Sequence, residues 1–163
     1  MKLSYWEIKS WLTDIDFAVI GSGIVGLSCA IRLREWHPKA KIVIFERGQM
    51  PQGASTKNAG FACFGSVSEI LDDLDHHEEG EVVDLIGQRI QGLHELRALL
   101  GDKEIGFQQR GGYEMFLLNE AKTHATCLEK MPYINSLLSK LVPGDTFQLR
   151  KNSFGYKGIN ETL

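Results

Sequence analysis

Near the start of the chain, apolar runs alternate with charged and glycine-bearing stretches, and the alternation marks out the elements. "DFAVIG" (Asp16 to Gly21) has no polar alternation, which predicts a short strand buried on both faces. From Ile24, the apolar positions Leu27, Ala30, Ile31 and Leu33 recur at helical spacing, and Pro38, preceded by His37, sets the stop. "AKIVIFERG" (Ala40 to Gly48) predicts a second buried strand ending on a charged pair. Strand, tight turn, helix and strand fit within about 30 residues, the size of one βαβ unit. Ahead of them, Tyr5 to Leu12 predicts a short amphipathic helix with Trp6 and Trp11 as its anchors.

The pattern then changes. "GQMPQGASTKNAGFACFGS" is rich in glycine and small residues and poor in helical periodicity, and an acidic stretch runs from Asp72 to Glu81. Val83, Ile86, Ile90, Leu93, Leu96 and Leu100 outline one face of a helix, with Gly101 placed as its cap. "IGFQQRGGYEMFLL" (Ile105 to Leu118) reads as a hairpin turning near Arg110, Gly111 and Gly112. Glu120 to Leu141 predicts helical stretches interrupted at Pro132, and the tail from Val142 shows no clear pattern.

Composition narrows the class. The 163 residues are 43% hydrophobic and 24% charged, enough for a real core. A net charge of −3 with interleaved acids and bases points to neither nucleic acid nor an anionic membrane as partner. No apolar run approaches a membrane span, and the N-terminus, broken by Glu7 and Lys9, lacks a signal-peptide centre. A cytoplasmic location is the expectation. Cys29, Cys63 and Cys127 are odd in number and far apart, which reads as free thiols, with Cys29 a small core residue of the first long helix. His76 and His77 stand among Asp72, Asp73, Asp75 and Glu78 and read as a solvated acidic surface, with no metal site expected. Trp6, Trp11 and Trp36 read as packing residues.

The chemistry sits in "VIGSGIVG". Gly21 permits the sharp exit from the strand, Gly23 leaves room for a pyrophosphate against the backbone, and Gly26 lets the helix pack closely. Bare amides and the helix dipole at that end favour negative charge. Glu46 stands 20 residues past Gly26, at the end of the second strand. Its carboxylate accepts from both hydroxyls of an adenosine ribose and repels a 2′-phosphate, which argues against NADP. The small-residue segment that follows suits a surface against a large flat ligand, with Ser55, Thr56 and Asn58 as short polar groups for phosphate or ribitol oxygens.

"VIGSGIVGLSCAIRL", "IVIFERG", "GASTKNAGF" and "QQRGGYEMF" resemble, in order and spacing, the N-terminal part of FAD-dependent oxidoreductases of the D-amino-acid oxidase and glycine oxidase superfamily. The resemblance covers most of the chain, most strongly Phe17 to Ser66. It implies an α/β fold: a glutathione-reductase-type, FAD-binding Rossmann βαβ core with a parallel sheet, followed by the start of an antiparallel substrate-domain sheet. Residues 1–104 would form the N-terminal part of the FAD domain, and residues 105–163 the beginning of the substrate domain. Gly21, Gly23, Ile24, Val25 and Gly26 would lie against the pyrophosphate, Glu46 on the ribose and Arg47 beside the adenine end. Ser55 and Thr56 would bind the pyrophosphate–ribitol region, while Asn58, Ala59 and Gly60 approach the flavin ring. Tyr113 and Glu114, after the turn at Gly112, would open the substrate-domain sheet.

Relatives with covalent flavin on this loop carry histidine near Lys57 or Asn58; here there is none, so non-covalent FAD is expected. Cys63 is expected as a packed thiol near the ring, and Lys57 either faces the charge of the reduced ring or meets phosphate or water. The resemblance implies hydride transfer to flavin from a carbon bearing an amine, with a small-molecule amine or amino acid as substrate. An FAD-dependent 2-hydroxyacid or polyol dehydrogenase and a non-catalytic nucleotide-binding module stay open beside it. No residue presents itself as a catalytic base. Superfamily members are usually more than twice this long, so the chain is read as an N-terminal fragment, inactive alone, weak in FAD binding and prone to self-association.

Overall fold

Parallel pairing of the two predicted strands organises the first part of the computed structural model, which describes residues 3–150 and 154–162. β1 (Phe17–Ile20) pairs with β2 (Ile42–Phe45) in the register Phe17 to Ile42 and Ile20 to Phe45, joined by the helix α2 (Ile24–Trp36). The ladder runs one step further, where the Gly21 N–H donates to the Phe45 carbonyl at 2.7 Å. α2 stops where the sequence predicts, at His37 before Pro38. Ahead of β1 lies α1 (Tyr5–Trp11), started by a reciprocal cap between Ser4 and Glu7. The Lys41 ammonium donates to the carbonyls of Ser10 and Thr13, tying the end of α1 to the start of β2.

Three expectations for this region are corrected. β1 is not buried on both faces: Val19 is 9% exposed, but Ile20 is 81% exposed, because two strands with one crossover helix cover only one face. For the same reason α2 has no fully buried residue, and Cys29 is exposed rather than a core position. Trp6, Trp11 and Trp36 are mostly exposed rather than packed as anchors; the Trp6 indole stands edge-on to Tyr5, with the Lys9 ammonium 5.7 Å over its ring.

The chain divides into two units, residues 1–61 and 62–163. The second is built from α3 (Val67–His76), α4 (Glu79–Leu100) and α5 (Ala121–Leu138), with β3 (Met115–Leu117) antiparallel to β4 (Ile159–Thr162). Its core gathers Val67 and Ile70 of α3, Val82 and Ile86 of α4, Phe116 of β3, and Cys127, Ile134 and Leu138 of α5. The predicted α4 face is present, with Val82 rather than Val83 fully buried, and Gly101 caps it at a φ of +82°.

The predicted hairpin does not form. Ile105, Gly106 and Phe107 donate back to Gly101, Lys103 and Asp102, so the first arm is spent on turns after α4. The Arg97 guanidinium sits 4.1 Å over the Phe107 ring and pairs with Asp102, holding that segment down. β3 therefore takes its partner from the distant segment at Ile159, inside the tail that shows no pattern by sequence. Pro132 does not interrupt α5 either. An interior proline costs about 3 kcal/mol, while burying Cys127, Ile134 and Leu138 at about 1.5–3 kcal/mol for each large aliphatic side chain outweighs it.

Candidate functional site: the strand-to-helix corner

Three residues, Gly21, Ser22 and Gly23, separate β1 from α2, and Gly26 follows in the first turn of the helix. Gly21 leaves the strand at a φ of +92°, a left-handed conformation costly for any residue with a Cβ. A Cβ on Gly26 would stand 2.1 Å from the Gly21 carbonyl oxygen, so the approach of α2 to the strand end requires glycine there. Gly23 is unlike both. Its φ of −70° is ordinary, and the nearest atom to a Cβ there is the Ser55 hydroxyl oxygen at 3.1 Å, which sits on a rotatable side chain. The chain's own backbone does not demand a glycine at 23.

Opposite the turn, Glu46 follows β2 directly. Its Oε2 accepts from the Ser22 N–H at 3.0 Å and from the Ser22 hydroxyl at 2.8 Å, and its Oε1 accepts from the Gly48 N–H at 3.1 Å. Donation from Ser22, with smaller help from Gly48 and Arg47, lowers the carboxyl pKa to about 2, so the group is an anion at any physiological pH. Ser55 reaches the same corner from its single 3-10 turn: its hydroxyl oxygen accepts from the Ile24 N–H at 2.9 Å, the first amide of α2. An oxygen therefore sits on the amino end of the helix, where a phosphate oxygen is favoured.

The structure thus brings together Gly21, Gly23, Ile24, Gly26, Glu46 and Ser55, with Val25 exposed on the first turn of α2. Arg47 is exposed beside Glu46. Thr56 lies next to Ser55, but its hydroxyl donates to the Gly53 and Pro51 carbonyls at 3.1 and 3.3 Å, folded onto its own loop. Asn58 accepts from the Gly60 N–H at 2.9 Å and closes a local turn with Ala59, away from any contact with the glycines. Lys57 is exposed and follows the 3-10 turn. Cys63 is exposed, not packed, because residues 57–65 form no helix or strand that would cover it.

Ser22 escapes the sequence reading, which weighs the glycines and passes over the residue between two of them. A donor-bearing side chain inside the turn, 24 residues before the acid, is the signal that finds it.

Other polar groups of the second unit are structural. Glu114 accepts from the Ser66 hydroxyl at 3.0 Å and from the Ser68 hydroxyl and N–H, closing the start of α3. Burial, then the nearby Glu114 charge, pushes the Cys127 thiol up to about 11. The Asp72 carbonyl, 2.7 Å from His76 Nδ1, raises the His76 pKa, and the carboxylate of Asp72 adds to it. Among the described residues no three His, Cys, Asp or Glu side chains gather as a metal site, and no helix is long and apolar enough to cross a membrane.

A glycine turn between parallel strands, with an acid held anionic beside it, defines a dinucleotide-binding βαβ corner. The chain belongs to the FAD-dependent oxidoreductase family DAO, whose pattern matches residues 16–148, and so carries that family's FAD-binding, Rossmann-like fold. No curated protein and no solved structure matches it. The residues present fit the family's cofactor: the Ser55 hydroxyl, on a rotatable side chain beside Gly23, holds the place of a ligand oxygen on the amino end of α2, and Glu46 carries the charge and lone pairs that ribose hydroxyls need.

Proposed function

We propose that the corner formed by Gly21, Ser22, Gly23, Gly26 and Glu46 holds the ADP half of a non-covalently bound FAD, in an oxidoreductase acting on an amine or amino acid. The observation that carries the reading is Gly23. Its neighbours 21 and 26 are glycine because the backbone requires it, whereas at 23 the one atom a Cβ would crowd is the rotatable Ser55 hydroxyl. That hydroxyl accepts from the Ile24 N–H, the first amide of α2, where a pyrophosphate oxygen in its place gains most from the helix dipole.

In this reading Ile24, Val25 and Gly26 present amides to the pyrophosphate, and Glu46 grips the ribose. Arg47 lies toward the adenine end. Ser55 and Thr56 serve the pyrophosphate–ribitol region, while Asn58, Ala59 and Gly60 approach the ring. FAD, when bound, supplies the acceptor for a hydride from the carbon that bears the amine. The protein's task is then orientation and charge placement. Family membership supports the oxidoreductase class, and the amine or amino acid substrate rests on the likeness of "GASTKNAGF" and "QQRGGYEMF" to the amino-acid oxidases. The exposed apolar side chains of Ile20, Ile44 and Phe45 support weak flavin retention and a tendency to self-associate.

Gly23→Ala tests the reading. Its far-UV spectrum should match the wild type and its stability fall by no more than about 1 kcal/mol, the worth of the Ser55–Ile24 hydrogen bond that has to give way, while ADP and FAD affinity falls at least tenfold. Unaltered affinity in a folded Gly23→Ala protein would remove the argument.

A further inference from the structure

We infer that the Ser22 hydroxyl is a place-holder for a ribose hydroxyl: it fills an acceptor position on Glu46 that a vicinal diol must occupy, and it turns away when the diol arrives. The inference rests on the nucleotide reading above and adds to it a residue that sets which sugar the corner prefers.

A carboxylate offers about four lone-pair positions. In this corner Oε2 has both of its positions filled, by the Ser22 N–H and the Ser22 hydroxyl, while the Gly48 N–H takes one on Oε1. A diol donating from two adjacent hydroxyls needs two positions; the Arg47 N–H, the smallest contribution to the Glu46 titration, makes no hydrogen bond of ordinary geometry to it, so one of these three donors must leave. The Ser22 N–H cannot, since it is fixed between Gly21, at a φ of +92°, and Gly23, the N-cap of α2. The Gly48 N–H is held by the two-residue return after Glu46. The Ser22 hydroxyl alone moves by rotation about a single bond, with no change in the backbone.

The consequence is a competition confined to one hydroxyl. A ligand that offers a single donor finds its place on Oε1 without disturbing Ser22. A diol must exchange with it.

Titration calorimetry of the full chain with ADP and with 2′-deoxy-ADP tests this, using wild type, Ser22→Ala and Ser22→Cys. Ser22→Ala should bind ADP about three- to tenfold tighter, the range of one ordinary hydrogen bond, and 2′-deoxy-ADP with unchanged affinity. Ser22→Cys, a weak donor of similar shape, should fall between and serves if the alanine variant fails to fold. In parallel, the Glu46 carboxyl followed by NMR should titrate higher in Ser22→Ala than its wild-type value of about 2. Unchanged or weaker ADP binding in both variants, or an equal factor for the two ligands, overturns the place-holder role. If the wild type binds neither ligand, the nucleotide reading falls and takes this inference with it; if it binds both with a ratio indifferent to Ser22, only the inference falls.

Discussion

Residues 1–61 and residues 62–163 hold their shape by different means. Nine apolar side chains are buried among the described residues, and eight of them lie in the second region; Val19 is the ninth. The first region instead depends on backbone geometry: a parallel ladder, a left-handed Gly21, a helix pressed against a carbonyl at Gly26, and a carboxylate held by main-chain amides. A region specified by close main-chain approach leaves side-chain space free for a ligand. A region specified by packed volume does not. The division puts the glycine corner where the core is thinnest.

The largest expected effect tests the packed side of this contrast. Ile86→Ala, at a fully buried position, should cost about 2–5 kcal/mol in chemical denaturation, while Ile20→Ala, at a mostly exposed one, should stay within about 0.5 kcal/mol. Comparable losses at the two sites would break the comparison. Next comes the main-chain side: Gly26→Ala forces a methyl group onto the Gly21 carbonyl and should cost about 1–3 kcal/mol, together with loss of nucleotide binding. Unlike Gly23→Ala, it should show both defects at once, and a stable Gly26→Ala protein would show that the helix approach is not fixed by contact.

The smallest effect is with acid. The Glu46 carboxyl is depressed from an ordinary 4.5 to about 2, so its stabilising contacts are complete above the unfolded value and fade as pH falls through the folded one. The Ser22 amide resonance should therefore hold its position down to pH 4 and shift with a midpoint near 2, and Glu46→Gln should remove that midpoint. A midpoint above 4 would mean the serine does not grip the acid.

The βαβ unit was legible because its signals are local: an unbroken apolar run, glycines at a fixed spacing, and an apolar period that ends at Pro38. α4 was legible for the same reason, down to Gly101. What escaped was decided at a distance. Ile105 to Phe107 alternates like a strand, yet its amides find closer acceptors in the turn after α4, and β3 pairs with Ile159 instead. Pro132 signals a break that three buried neighbours on α5 override. Of the site, the glycines and Glu46 announce themselves by spacing, whereas Ser22 shows its role only once the two strands lie side by side.

Cys127 lies at the centre of the helical core, 1% exposed, while Cys29 and Cys63 are open to solvent. Alkylating reagents need the thiolate and a path to it, and the raised titration of Cys127 denies them the first as burial denies the second. Cys29 and Cys63 should therefore label first and Cys127 only when helices part, which would give the molecule an internal clock for the opening of its core.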